Sequence, residues 1–151
     1  MVFAGLFCLS SPAGPEGPEA AKAELLALHR GDRRAHFQHD VDALLASVPP
    51  EFIFVRDGEI RAQSRDDLRT RFTRYFQGTE FTAWDDLDPP IVRVSPDGQM
   101  GWMAVRLKIA LNRADASGQK TNETTVMAWI SVYEKHDGKW QHMANATTVE
   151  P

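Results

Sequence analysis

The C-terminal third of the chain holds the feature that most constrains its fold. An apolar-rich run at residues 121–135 leads into the turn sequence His136-Asp137-Gly138-Lys139, and a second strand-like run follows and ends near Thr148. Asp-Gly between two such runs is a strong signal for a β-hairpin. The sequence therefore predicts that the chain ends in antiparallel sheet, against which the earlier elements must pack.

Helical patterns dominate the first half of the chain. Helical periodicity covers residues 19–38, with Gly31 as a weak point, and Asp40 is predicted to cap a second helix that Pro49 and Pro50 end. Ser64 and Asp67 form a capping-box pattern at the start of a third helix, which Gly78 closes.

Strand patterns occupy most of the remaining sequence. The predicted strands cover residues 52–55, 59–61, 81–87, 91–95, 100–112, 121–135 and the run after Trp140. A strongly twisted sheet cannot lie flat on helices, so it bends around them and leaves a cavity. The predicted fold is α+β and cone-like, with a strongly curved antiparallel sheet wrapped around N-terminal helices and a pocket between them.

Composition narrows the class of protein. The chain has 151 residues, 42% of them hydrophobic and 25% charged, as in one ordinary globular domain. The net charge of −4 gives no basic excess, so no nucleic-acid partner is predicted. No run approaches the roughly 20 apolar residues that span a bilayer, so no transmembrane segment is predicted.

The N-terminus is predicted to lie outside the domain. Residues 1–18 combine an apolar start with a Pro/Gly-rich linker, and the domain is predicted to cover 19–151. The start resembles the apolar core of a secretory signal but lacks a basic region before it, so export and a cytoplasmic location are equally expected. Cys8 is the one cysteine, which excludes an internal disulfide.

Four segments together resemble the nuclear transport factor 2-like superfamily and, within it, the SnoaL-like group. The segments are Ala35 to Leu44, Phe52 to Glu59, Trp84 to Ile91, and Tyr133 to Trp140. The resemblance covers roughly Ala20 to Thr148, and it departs at His39, where many members carry glycine. It implies a cone-shaped fold with a pocket, often in homodimers. It leaves open isomerases, dehydratases, polyketide cyclases, epoxide hydrolases and non-enzymatic modules.

His36 is the first candidate for chemistry. It shares a helical face with Leu25, Leu28 and Asp32, so it is predicted to face inward. An imidazole titrates near neutral pH and can act as a general base, and Asp32 four residues earlier is placed to orient the ring. The competing interpretation is a partly buried histidine that bonds a cap or a carbonyl.

Other candidates are predicted to line the pocket as ligand-binding residues. Asn145 and Thr147 share one face of the last strand, where the amide of Asn145 is a potential donor to a substrate oxygen. The alternative is that both simply bond water at an edge. His142 falls on the opposite face unless a bulge intervenes. Trp129, Trp84 and Asp40 are the remaining pocket candidates.

The remaining tryptophans and the acidic cluster are assigned to structure. Trp140 directly follows a turn and is predicted to anchor the core. Trp102 shares a face with Arg106, which fits a dimer contact through the sheet. Asp85, Asp86 and Asp88 are interpreted as a solvated turn, and no metal site or cofactor is predicted because the sequence has no matching ligand spacing.

Two main functions follow from these patterns. The favoured one is a SnoaL-like module that binds a small apolar or mixed-polarity ligand, as a homodimer through the sheet and without turnover. The alternative is a cofactor-independent isomerase, dehydratase or cyclase with His36 as base, Asp32 as its orienter and Asn145 as oxyanion donor. A third, a scaffold for dimerisation alone, predicts a pocket filled by aromatic and Met side chains.

Overall fold

Within the part of the chain that the structure describes, three helices and seven strands form the fold. The computed structural model describes residues 17–115 and 117–150, so residues 1–16 of the predicted N-terminal segment and Cys8 lie outside the described part. The helices are α1 (Pro18–Gln38), α2 (Val41–Leu44) and α3 (Arg65–Phe76). The strands are β1 (Glu51–Arg56), β2 (Glu59–Ser64), β3 (Thr79–Asp86), β4 (Ile91–Val94), β5 (Met100–Ala114), β6 (Lys120–His136) and β7 (Lys139–Val149).

The seven strands belong to one sheet that remains open. Its order is β2-β1-β7-β6-β5-β3, and β4 pairs with β5 beside β3. All neighbours are antiparallel except β1 and β7. Register shifts interrupt the pairing of β3 and of β7, and bulges of this kind bend a strand and increase its twist. The predicted α+β fold, a curved sheet around N-terminal helices, is confirmed.

The helix ends follow the predicted capping residues, except at the end of α2. Ser64 Oγ accepts a hydrogen bond from the Asp67 backbone N–H at 3.1 Å, and the reciprocal bond completes a capping box. Asp40 caps α2 as predicted, but α2 ends at Leu44, four residues before Val48. His39 ends α1 sharply with a φ of 54°, although it is not glycine.

Two contacts attach α1 to the sheet near the final hairpin. Leu25 is fully buried against Gly101, where β5 has no side chain to keep the helix away. The Glu24 carboxylate accepts hydrogen bonds from Trp140 Nε1 at 2.6 Å and from Lys135 Nζ at 3.0 Å. Trp140 is buried, as predicted for a core anchor. The helix that carries Asp32 and His36 is therefore held in place from its N-terminal half.

None of the helices within 17–115 and 117–150 combines the length and apolarity needed to cross a bilayer.

Candidate functional site

A cavity of about 720 Å³ lies between the helices and the inner face of the sheet. Residues of all three helices and of six strands line it. Its volume is within the usual range for pockets that hold small molecules. The predicted residues that line it are His36, Asp32, Asn145, Thr147, Trp129 and Trp84. A cavity of this size leaves room for a ligand, whereas the scaffold interpretation predicts a pocket filled by side chains.

Asp32 contributes a carboxyl group to this cavity. Among residues 17–115 and 117–150, the Asp32 carboxyl has no hydrogen-bond partner. Burial raises its pKa from 3.8 to about 7, because a carboxylate loses hydration where protein replaces water. Both protonation states are therefore populated near neutral pH. Such a group is suited to take a proton from a bound molecule and to return it.

His36 is buried and lines the same cavity. Its Nδ1 lies 2.7 Å from the backbone carbonyl oxygen of Asp32. A carbonyl only accepts, so Nδ1 carries the hydrogen and Nε2 is the atom with a free lone pair. Burial, and to a smaller extent the neighbouring charge of His39, lowers the pKa of the ring to about 4 despite that bond. The Asp32 backbone, rather than its carboxylate, thus orients a neutral ring.

Aromatic side chains surround the His36 ring. Its centroid lies 4.0 Å from that of Trp84 and 5.4 Å from that of Phe81. Trp84 in turn meets Trp129 edge to face at 6.2 Å. These contacts explain the loss of hydration that keeps the imidazole uncharged. The buried Trp84 Nε1 has no hydrogen-bond partner in the described chain.

A bulge in β7 brings an unexpected histidine into the cavity. Val132 pairs with Ala144 while the next residue, Tyr133, pairs with His142, so Met143 is the extra residue. An extra residue reverses the alternation of faces, and His142 therefore lines the cavity together with Asn145. The His142 ring stacks on Tyr133 at 4.8 Å, and its Nε2 has no partner in the part of the chain described.

Tyr133 supplies a hydroxyl group that stays protonated. The side chain is fully buried and lines the cavity. Burial, followed by the nearby charge of Asp32, raises the pKa of Tyr133 far above its usual value. A phenol in this state acts as a hydrogen-bond donor at every physiological pH. Its proximity to Asp32 was not predicted from the sequence.

Asn145 and Thr147 are already bonded to each other. Thr147 Oγ1 donates to Asn145 Oδ1, and Asn145 Nδ2 donates to Ser131 Oγ at 3.4 Å. The three side chains share the inner face across the β6–β7 pair. This leaves one amide hydrogen of Asn145 for a ligand, so its predicted role as a donor stays a prediction.

Titrating groups of the cavity affect stability in opposite directions. The folded state holds a proton on Asp32 more tightly than the unfolded chain does, so this group lowers the free energy of unfolding as pH rises from about 3.8 to about 7. His36 and His142 have pKa values lowered to about 4. Their contribution to stability is complete above pH 6.5 and is lost as pH falls towards 4.

Asp40 and the acidic cluster both have structural partners. Asp40, predicted to bind ligand, lies outside the cavity lining because its carboxylate accepts the Ala43 N–H at 2.9 Å as the cap of α2. The acidic cluster, interpreted from the sequence as a solvated turn, also has a separate basic side chain beside each carboxylate. The pairs are Asp85 with Arg33 at 3.6 Å, Asp86 with His29 at 2.8 Å, and Asp88 with Arg106 at 3.6 Å.

The open curved sheet, the helices on its inner face and the cavity between them define a nuclear transport factor 2-like fold. An NTF2-like family protein from Streptomyces avermitilis superposes with a TM-score of 0.71 at 12% identity, covering 89% of this chain and 99% of that chain. A ketosteroid isomerase-like protein from Erwinia carotovora atroseptica superposes with a TM-score of 0.65 at 18% identity, covering 86% and 97%. At these identities the likeness shows the fold alone.

Sequence comparison identifies the family to which the chain belongs within this superfamily. The model of the SnoaL-like domain matches residues 33–143, so the chain belongs to the SnoaL-like family, as predicted. No curated protein sequence matches it significantly.

Proposed function

We propose that this protein is a cofactor-independent acid–base enzyme for a small, partly apolar molecule, of the isomerase, dehydratase or cyclase class, with Asp32 as general base. The observation that supports this most is the Asp32 carboxyl, which lies in the cavity without a hydrogen-bond partner in the described chain. Asp32 is only partly exposed, and structural carboxylates that are withdrawn from water are normally paired, because an unpaired one costs stability. Catalysis supplies a reason to keep one.

The neighbours of Asp32 fit the same role. Asp32 has a pKa of about 7 and His36 one of about 4, so near neutral pH the carboxylate is the stronger base of the two. The base is therefore Asp32 instead of His36, the residue that the sequence favoured. The buried Tyr133 hydroxyl is a donor for an oxygen that gains negative charge as the proton leaves. The Erwinia protein described as ketosteroid isomerase-like shares this fold.

The alternative is ligand binding without turnover, which the sequence favoured slightly. It requires the cavity and leaves the unpaired Asp32 unexplained. The two proposals differ in whether Asp32 removes a proton from a bound molecule. Proton abstraction from carbon is therefore the property to measure.

A neutral probe tests the proposal without knowledge of the natural substrate. In 5-nitrobenzisoxazole, a base removes the proton on C3, the N–O bond breaks, and a coloured cyanophenolate is released. We expect the protein to accelerate this reaction with a rate that rises with pH and reaches half its maximum near pH 7, where Asp32 ionises. Absorbance of the phenolate gives the profile. A rate equal to that of buffer, or one with no inflection between pH 6 and 8, would contradict the proposal.

We further propose that the protein forms a homodimer through the outer face of the sheet. This face exposes Ile91, Trp102 and Ile130 around small residues, of which Ala104 and Ala128 line a shallow groove. Apolar side chains around small residues allow two sheets to approach closely. Arg106 and Asp88 on the same face are 3.6 Å apart and carry opposite charges. A two-fold axis close to this pair would therefore bring the arginine of one subunit near the aspartate of the other.

A charge placed on this face tests the dimer. Ile130→Asp should convert a dimer into a monomer at micromolar concentration, because it puts a carboxylate into an apolar contact. Light scattering during gel filtration measures the mass. Thr73→Asp adds the same charge on the exposed side of α3 and should leave the dimer intact. A monomeric parent protein would exclude the proposal.

A further inference from the structure

Charged residues that are exposed or partly exposed mark the mouth of the cavity. Four of them are arginines: Arg56 of β1, Arg61 of β2, Arg71 of α3 and Arg113 of β5. Because most of the other lining side chains are apolar or carry only hydroxyl or amide groups, the mouth is where a charged part of a ligand would meet the protein.

Three of the four arginines are paired with carboxylates. Arg56 lies 3.2 Å from Asp57, Arg61 Nε donates to Glu59 at 2.6 Å, and Arg113 Nε donates to Glu123 at 3.1 Å. Each of these carboxylates also lines the cavity. The charges of three arginines are therefore balanced locally, and a ligand anion would have to compete with a carboxylate already in place.

Arg71 is different. Its Nη1 donates to the neutral Gln63 Oε1 at 2.9 Å, and no carboxylate lies within ion-pair distance in residues 17–115 and 117–150. Partial burial and, to a smaller extent, the positive charge of Arg56 lower the pKa of its guanidinium, although it remains protonated at neutral pH. An anion placed beside Arg71 would relieve both the lost hydration and the repulsion.

Aromatic rings fix the position of the Arg71 guanidinium. Its Cζ lies 4.4 Å from the centroid of Phe54 and 5.0 Å from that of Phe72, and both rings line the cavity. Contact with ring faces orients the planar group while leaving N–H donors for an oxyanion. A guanidinium held in this way loses little further freedom when it binds a carboxylate or phosphate with two parallel hydrogen bonds.

We infer that Arg71 is a specificity-determining residue for an oxyanion head group, so that the ligand is an amphipathic anion whose apolar body occupies the cavity. The inference rests on the proposed function in one respect only, which is that the ligand occupies the same cavity. The unpaired cation at the mouth and the apolar wall inside match the two ends of such a molecule. The competing interpretation is that Arg71 only packs against Phe54 and stabilises the β1–α3 contact.

Two fluorescent dyes that differ by one charge separate these interpretations. 8-Anilinonaphthalene-1-sulfonate carries a sulfonate, and N-phenyl-1-naphthylamine is the same framework without it. In the parent protein each dye should displace the other, as expected for one shared cavity. Arg71→Gln should weaken sulfonate-dye binding by about 10-fold, the usual loss for a charge-assisted hydrogen bond, and leave binding of the neutral dye within about 2-fold.

Arg74→Gln is the matched control. Arg74 lies on the same helix and is exposed, but it does not line the cavity. Its replacement removes the same charge and should change neither affinity beyond about 2-fold. Arg71→Lys keeps the charge and should retain part of the preference for the sulfonate.

Three outcomes would overturn the inference. They are equal weakening of both dyes in Arg71→Gln, no weakening of either dye, and an equal loss in Arg74→Gln. The outcome is separate from that of the isoxazole assay. If the protein does not turn over the isoxazole but the dyes behave as expected, the acid–base proposal is wrong and the anion subsite stands. If the isoxazole is turned over but the dyes do not behave as expected, only the anion subsite is wrong.

Discussion

Replacing Asp32 with asparagine should lower the rate of 5-nitrobenzisoxazole elimination by about 10²-fold or more and abolish its inflection near pH 7. Asparagine keeps the size of the side chain and cannot accept a proton in this pH range. Because it also removes a partly buried group that loses hydration and must ionise without a partner, Asp32→Asn should unfold at a higher temperature than the parent protein at pH 8. A rate loss combined with higher stability is difficult to attribute to misfolding.

His36→Gln assigns the role of the neighbouring histidine. A neutral imidazole that is bonded to a backbone carbonyl positions the cavity wall and does not carry the proton. We expect this variant to lower the rate by much less than Asp32→Asn and to keep the inflection near pH 7. If the inflection disappears in His36→Gln and persists in Asp32→Asn, the base is His36.

Glu134→Gln controls for the loss of a carboxylate. Glu134 is paired with the partly exposed His136 at 3.1 Å and lies outside the cavity lining. Its replacement should change neither the rate nor the pH profile. A similar loss in Glu134→Gln would show that the effect of Asp32→Asn reflects net charge alone.

Local sequence signals were sufficient for most of the fold. The Asp137-Gly138 turn and the Ser64–Asp67 capping box act within a few residues, and both were predicted correctly. The end of α2 was wrong for a physical reason. Leu45 and Val48 are buried although they follow the last residue of α2. Their apolar spacing therefore indicated that they are buried, and it did not indicate that the helix continues. Periodicity cannot separate the two in so short a segment.

The candidate site was predictable only where it depends on one helix face. Asp32 and His36 were found together because they are one turn apart on α1. The face of His142 was predicted only on the condition that no bulge intervenes, and the bulge at Met143 has no signal in a single sequence. Whether the His36 ring bonds the carboxylate or the backbone carbonyl of Asp32 depends on side-chain rotamers, which sequence spacing does not determine.

Contacts between distant segments were also beyond reach. His29 meets Asp86 and Glu24 meets Trp140 across 57 and 116 residues of chain. Single-sequence patterns carry information about neighbours within a turn or a hairpin. Pairing between remote positions follows only once the topology is known.

The contact between Leu25 and Gly101 should produce the largest effects on stability. Leu25→Ala removes a fully buried side chain and should lower the free energy of unfolding by about 2–5 kcal/mol. Gly101→Ala should cost about 1–3 kcal/mol, because its Cβ would stand 2.8 Å from Leu25 Cδ1 and 3.1 Å from the Arg93 carbonyl oxygen. Chemical denaturation measures both values.

A variant that combines Leu25→Ala with Gly101→Ala tests whether this contact positions α1 on the sheet. In Leu25→Ala the atom that obstructs the new methyl group is gone, so Gly101→Ala should cost less in that background, with a coupling of about 0.5–3 kcal/mol. The Arg93 carbonyl remains close, so recovery should be incomplete. Leu107→Ala, buried six residues along β5, should combine additively with Gly101→Ala. Additivity for Leu25 as well would mean that α1, and Asp32 with it, is positioned mainly by the Glu24 hydrogen bonds.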